Sequence, residues 1–271
     1  MKVYPCEVVP WTIIEKWYKK GTYIPYFEKN NEDLIDVVRY SMTTSPNWVR
    51  LPRVIRDIPR SYIQCGNTVA NLRQVIEKKL DDEGVISAEI RSREIGRHTK
   101  YYNKLANYNS YYYYGNEGHE YFIAYESYDL RALFGFIRLR IVEEKNNFII
   151  FDVLKKRGLI RELHVYGDNT AVNTYDKGGC QHTGIGTGLL TCAEIKTMEN
   201  GLYGIVVISG EGVKEYYEKK GYKEIDTFMV KDFWFYQVWY YYLKANYYYS
   251  VLFILGLVVS LGFGLGFLCL I

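Results

Sequence analysis

Apolar residues recur at helical spacing in the first third of the chain and at strand-like spacing after it. In "NEDLIDVVRYSM", Leu34, Ile35, Val38 and Met42 fall on one side of a helix whose first turn is acidic. In "TVANLRQVIEKKL", Val69, Leu72, Ile76 and Leu80 do the same. The stretch between them, "SPNWVRLPRVIRDIPRSYI", is broken by prolines and cannot continue as one helix. From about residue 118 the pattern changes. "HEYFIAYE", "ALFGFIRLRIV" and "NNFIIFDV" are rich in β-branched and aromatic residues and read as strands, and "LIRELHVYG" follows. Then come a polar loop, the glycine-rich "QHTGIGTG" and a helix, "LLTCAEIKTMENG". An apolar run "GIVVIS", a second helix "GVKEYYEKKG" and a strand around "KEIDTFMVKDF" complete the order. Strands, helix, strand, helix, strand predicts an α/β (α+β) fold, a mixed sheet with helices packed on it.

The end of the chain follows a third pattern. From Ala245 to Ile271 no residue is charged, and the 22 residues 250–271 are apolar or small throughout. As a helix they reach ~33 Å, enough to cross a hydrocarbon core, so a transmembrane helix is predicted there. Trp234, Trp239, Tyr240 to Tyr242 and Tyr247 to Tyr249 crowd its N-terminal side, which predicts an aromatic juxtamembrane linker over 233–249. Gly256, Ser260 and Gly264 suit helix pairing, although a monomeric anchor is the plainer reading. With no N-terminal signal, a lone C-terminal span predicts a tail-anchored protein whose folded part faces the cytosol.

Composition adds limits. Of 271 residues 48% are apolar, enough for a sizeable core. The net charge of +3 is uneven, the first hundred residues carrying 17 Lys and Arg against 13 Asp and Glu. That mild excess is compatible with a nucleic-acid face without requiring one. Cys6, Cys65, Cys180, Cys192 and Cys269 have no metal-ligand spacing and read as free thiols in a reducing compartment. His98, His119 and His182 likewise predict no metal site. Runs such as "YYYY" at Tyr111 to Tyr114 suggest compositional drift more than chemistry.

The glycine stretch raises the sharpest chemical question. Glycine costs about 1 kcal/mol inside a helix, yet three of them alternate where a helix starts. A helix N-terminus offers free N–H groups and partial positive charge, and without side chains those donors reach a phosphate. The other reading is a glycine turn packed tightly between strand and helix, and the pattern alone leaves both open.

Gln-x-x-Gly-x-Gly between a strand and a helix resembles the pyrophosphate loop of the GCN5-related acetyltransferases. "RELHVYG", "QHTGIG", "VISG" and "EYYEKKGY" together resemble the acetyltransferase domain of the catalytic subunit of Elongator. "RVIRDIP", "NLR" and "RSREIG" are similar to the junction where that family's radical S-adenosylmethionine domain runs into its acetyltransferase domain. The resemblance spans most of residues 1–232 in collinear order. It implies a remnant of the radical domain over 1–95, mostly helical and contacting tRNA, and a GCN5-related acetyltransferase domain over 96–232. It further implies acetyl-CoA-dependent modification of the tRNA wobble uridine toward 5-carboxymethyluridine, with tRNA and other Elongator subunits as partners. S-adenosylmethionine and an iron–sulfur cluster are expected for the full-length family, but this chain lacks the three closely spaced cysteines and could not bind them alone. Apicomplexan members carry a similar C-terminal span, which implies the mitochondrial outer membrane.

The resemblance also assigns residues. Glu162, Leu163, His164 and Val165 are expected on a splayed strand whose backbone holds the pantetheine arm. Ile185, Gly186 and Thr187 would offer N–H groups to the pyrophosphate, with Gln181, Gly184 and Gly188 shaping the turn. Tyr217 matches the tyrosine near the thioester, whose phenol protonates a departing thiolate; packing of the second helix is its other reading. Arg50, Arg53, Arg56, Arg60, Arg73, Arg91, Arg93 and Arg97 suit planar contact with phosphate, and Arg53, Arg56, Arg91 and Arg93 are the nucleic-acid candidates. An internal ion-pair network with Asp57 and Glu94 accounts for them equally well. Two other functions fit the same cofactor half: a protein lysine acetyltransferase, and a non-catalytic membrane-bound scaffold.

Overall fold

The computed structural model describes residues 1–29, 31–97, 105–142, 151–166 and 184–247. These fall into two compact units, the first holding residues 1–107, 126–134 and 166, the second 108–125, 135–165 and 184–247.

The first unit is helical. It contains α1 (Ile13–Lys19), α2 (Tyr26–Lys29), α3 (Asn31–Thr44), α4 (Leu72–Asp82) and the short α5 (Ile90–Arg93). The apolar stripes predicted for α3 and α4 form its core. Leu34, Val38 and Met42 meet Leu72, Ile76 and Leu80, with Leu51 and Val54 from the proline-rich connection between them. That connection is held by Glu89, which caps α5. Fully buried, its carboxylate accepts from the N–H groups of Leu51 at 2.8 Å, Arg91 at 2.9 Å and Ser92 at 2.7 Å, and from Arg73 Nη1 at 2.9 Å. The Arg73–Glu89 pair is structural charge, matched at the point where it is desolvated.

The second unit is built on a sheet of seven strands in the order β1-β2-β3-β4-β5-β7-β6. They are β1 (Ala106–Gly115), β2 (Gly118–Ser127), β3 (Leu133–Val142), β4 (Arg157–Val165), β5 (Gly204–Val207), β6 (Lys223–Ile225) and β7 (Phe228–Asp232). The pairs β3–β4, β5–β7 and β6–β7 are antiparallel, and β4–β5 is parallel. β1 was not anticipated. Its tyrosines have high strand propensity, and Asn116 and Glu117, both at positive φ (47° and 57°), make the two-residue turn to β2. The last predicted strand is likewise a hairpin, β6 and β7 turning at Asp226 and Thr227. "NNFIIFDV" lies mostly outside the described residues, and Asp152–Leu154 forms a 3-10 turn.

Between β4 and β5 runs α6 (Ile185–Glu199), which buries Leu189, Leu190, Ala193 and Met198. Glycines in the strands let it settle. A Cβ at Gly158 would stand 2.8 Å from Thr197 Oγ1, and one at Gly135 would meet the Ile185 and Leu189 side chains at 3.3 and 3.2 Å. The short α7 (Lys214–Glu218) follows β5, and α8 (Phe235–Ala245) follows β7. The stretch expected as a linker over 233–249 therefore carries an ordered helix. No helix among the described residues is long and apolar enough to cross a membrane. The predicted transmembrane helix, 250–271, lies outside the described residues.

Candidate functional site

β4 and β5 share only part of their length. Their parallel pairing runs from Arg157 opposite Gly204 to Ile160 opposite Val207, where β5 ends. β4 continues to Val165, paired with β3. At the point of separation β4 carries a bulge. Ile160 stands opposite Leu139 and Glu162 opposite Arg138, so Arg161 has no opposite residue. A bulge bends its strand and sharpens the local twist, and here it turns β4 away just as β5 stops.

The bulge also sorts the side chains. Ile160, Leu163 and Val165 share the α6 face with Leu139, Ile137 and Gly135. Glu162 and His164 take the other face, opposite Arg138 and Phe136. There Glu162 pairs with Arg138 at 3.0 Å, and His164 stacks on Phe136 with centroids 6.0 Å apart. Arg161 and Arg140 converge on the buried Glu120 at 3.3 and 2.7 Å. The bulge had a signal in the sequence: Ile160 and Leu163 are three apart, out of step with a strand's period of two.

The glycine turn enters α6 beside the freed end of β4. Gln181, with His182 and Thr183, lies outside the described residues. Gly184 caps the helix with φ +82° and an exposed α-carbon, next to which a Cβ would meet nothing within 4 Å. The first helical hydrogen bond is Gly188 N–H to Gly184 C=O at 2.9 Å. The N–H groups of Ile185, Gly186 and Thr187 therefore have no acceptor within the helix.

The other two glycines answer to tyrosines. A Cβ at Gly186 would lie 3.0 Å from the Tyr216 hydroxyl and 3.6 Å from the Val165 side chain. One at Gly188 would lie 1.9 Å from the Tyr108 hydroxyl. Gly188 therefore makes room for a β1 side chain, a contact the sequence concealed because β1 itself was missed. Packing and bare donors coexist in this turn: Gly188 serves the first, Gly184 and the N–H groups the second.

α7 delivers two neighbouring tyrosines. Tyr217 is 6% exposed, packed edge-on against Tyr216 and Tyr222 at 5.2 and 5.7 Å, and burial pushes its phenol up to about 12. The Tyr216 hydroxyl, rather than that of Tyr217, abuts the first turn of α6. It is buried without a hydrogen bond of good geometry, with the Thr187 side chain close by, and burial raises its pKa. Tyr222 donates to Glu194 Oε1 at 2.9 Å, and Lys231 Nζ holds the same carboxylate at 2.9 and 3.0 Å. This fixes α6 to the segment after α7. Nothing in "EYYEKKGY" says which of the two rings faces the turn.

In the first unit the arginine candidates separate. Arg53 and Arg91 line a cavity of about 410 Å³ together with Arg73, Asp57, Asn71 and Gln74. Arg56 is exposed and lies over the Tyr4 ring at 5.8 Å. Arg93 is 2% exposed, bound to the fully buried Glu126 at 2.5 Å and donating to Asn47 C=O at 2.9 Å. Arg50 pairs with Glu94 at 2.6 Å and Arg53 with Asp57 at 2.9 Å, the internal network that competed with nucleic-acid contact. Among the described residues no three His, Cys, Asp or Glu side chains are grouped to hold a metal ion, and Cys6, Cys65 and Cys192 are free.

Comparison with known proteins agrees with this geometry. Residues 1–82 match the Radical_SAM C-terminal domain. Elongator complex protein 3 of Bos taurus is 35% identical over 236 residues, covering 85% of this chain and 42% of that protein. The tRNA uridine(34) acetyltransferase of Methanocaldococcus infernus is 35% identical over 243 residues, covering 86% of this chain and 44% of that protein. Among solved structures, the archaeal Methanocaldococcus infernus Elp3 with an N-terminal deletion superposes with a TM-score of 0.71 at 34% identity, over 85% of this chain and 55% of that one. The chain thus spans less than half the length of these curated relatives, and over most of its own length it is similar to the C-terminal part of Elongator complex protein 3 and of tRNA uridine(34) acetyltransferase.

Proposed function

We propose that this chain is the acetyl-CoA-dependent acyltransferase part of an enzyme that modifies the tRNA wobble uridine toward 5-carboxymethyluridine, working with other Elongator subunits. The observation that carries the reading is the bulge at Arg161, which parts β4 from β5 beside a helix start whose first N–H groups have no acceptor within the helix. That arrangement supports a cofactor slot of the GCN5-related acetyltransferase kind. The similarity to enzymes named tRNA uridine(34) acetyltransferase supports the acceptor.

Acetyl-CoA supplies an acetyl group activated as a thioester. The residues present fit it: the exposed α-carbon of Gly184 leaves the turn open, and the N–H groups of Ile185, Gly186 and Thr187 suit a pyrophosphate. The β4 backbone from Glu162 to Val165 lies beyond the end of β5, where pantetheine amides would add to it. Tyr217, at about 12, keeps its proton at neutral pH and would be the donor to the thiolate of bound acetyl-CoA. Tyr216 borders Gly186 and positions the turn. Among the described residues no cysteine group would hold an iron–sulfur cluster.

The full chain is further proposed to be tail-anchored through 250–271, facing the cytosol, at the mitochondrial outer membrane. The uncharged apolar run supports this.

Calorimetry of acetyl-CoA against the full chain in detergent tests the cofactor reading. Gly186→Glu sets a carboxylate against both the phosphate and the Tyr216 hydroxyl, and binding is expected to vanish. Equal affinity for both proteins would overturn the slot. Acetyl-CoA hydrolysis stimulated by tRNA supports the acceptor, whereas transfer to lysine peptides indifferent to tRNA would replace it with a protein acetyltransferase.

A further inference from the structure

We propose that α8 is an interfacial helix that lies in the headgroup region of a lipid bilayer and fixes how the sheet unit faces the membrane. Its apolar face points the wrong way for a helix of a water-surrounded domain. Val238 is its one buried side chain, at 2% exposure. Phe235 and Trp239, one turn apart, and Tyr236 and Tyr240, one turn apart beside them, share the outward face. They are 63%, 47%, 68% and 59% exposed, and Trp234 just before the helix is 72% exposed. The helix has no acidic residue, and its single charge, Lys244, sits in the last turn. A surface helix ordinarily turns such residues inward and its polar ones outward.

The outward face is held rigidly. Phe233 N–H donates to Tyr203 C=O at 2.8 Å, and Phe235 stacks on Tyr203 with centroids 6.2 Å apart. The Tyr242 ring stands 3.4 Å from where Gly201 would carry a Cβ, so a missing side chain at the end of α6 seats α8. Trp234 N–H donates to Gln237 Oε1 at 3.1 Å and closes the first turn. The aromatic face is therefore a fixed part of the unit's surface.

Aromatic rings with one polar atom suit the boundary between acyl chains and water, where Trp and Tyr concentrate. A protein partner would also accept them. The bilayer is favoured by continuity, since four residues after α8 the sequence enters the uncharged run 250–271. The inference adds to the proposed tail anchor, and the two can fail separately because that run contains no tryptophan.

The test uses the full chain reconstituted into phosphatidylcholine vesicles brominated at carbons 6 and 7 of one acyl chain. Two of the five tryptophans belong to this face. Wild type is expected to float with the vesicles and to lose part of its tryptophan emission relative to unbrominated lipid. The Trp234→Phe/Trp239→Phe variant, conservative at exposed positions, should float equally and lose most of that quenching. Flotation with no quenching, or quenching unchanged in the variant, would overturn the interfacial helix while leaving the anchor intact. Failure to float would overturn both. A wild type that stays unquenched and sediments as a dimer in detergent would hand the face to a second copy of the chain.

Discussion

Arg93 with Glu126 and the first turn of α6 are two places where the sequence advertises phosphate chemistry, and the structure treats them differently. Arg93 and Glu126 are 2% and 0% exposed and pair with each other inside the first unit. At α6 the N–H groups of Ile185 to Thr187 have no acceptor in their helix, and the α-carbon of Gly184 faces open space. An arginine side chain is long enough to turn inward and find a carboxylate, so its presence says little about where its charge is used. A helix's first N–H groups are fixed by backbone geometry and cannot turn away. Bare backbone is thus the more telling feature, although glycine alone does not mark it, as Gly188 and its tyrosine show.

The largest expected effect bears on the buried side of that contrast. Arg93→Ala takes the ion-pair partner from the buried Glu126 carboxylate, and removing one partner of a buried pair costs about 3–5 kcal/mol. The midpoint of denaturant unfolding should fall accordingly; a variant as stable as wild type would mean that Arg93 is free for an outside ligand after all. Next comes Gly188→Ala. Its methyl collides with the Tyr108 hydroxyl, and overpacking of this kind costs about 1–3 kcal/mol. In a Tyr108→Ala background the same change should turn neutral or stabilising, because alanine is the better helix former by about 1 kcal/mol. Thermal melts of the four proteins of this cycle give the coupling, and additive effects would remove Gly188 from the packing account.

Gly184→Ala is a smaller disturbance. There is room for the methyl, but φ +82° puts an L-residue in the left-handed region at about 1–2 kcal/mol. Its stability loss should be modest while acetyl-CoA affinity in calorimetry falls as the cap shifts; unchanged affinity would show that the turn's shape is dispensable. Smallest is Arg53→Gln. The exposed pair with Asp57 contributes at most about 1 kcal/mol, so unfolding should barely move. A drop in tRNA affinity by filter binding with that stability intact would separate Arg53 from Arg93; no drop would align the two.

Long amphipathic stretches were legible from sequence. The stripes of α3 and α4, the strand–helix–strand order and the glycine start of α6 follow from spacing and turn chemistry. What escaped notice depended on partners distant in sequence. β1 was hidden because a tyrosine run has no alternation of polarity, and with it went the reason for Gly188. The role of Tyr216 needs the rotation of α7 about its axis, which five residues do not define. Gly135 carried a signal, a lone glycine in "ALFGFIRLRIV", but its meaning required knowing that α6 crosses there. Gln181 and the 250–271 run lie outside the described residues.

The insertion at Arg161 works like a spacer washer between two halves of one strand. On either side of it β4 keeps the same neighbours across β3, Ile160 with Leu139 and Glu162 with Arg138. Taking the washer out would leave the flanking side chains on their present faces and straighten the bend, at the loss of the Arg161 contact to Glu120, which Arg140 still holds. Capacity for a cofactor could then be dialled down by a one-residue deletion with the apolar interior kept, a separation that substitution at Gly186 or Gly188, each against a tyrosine, cannot achieve.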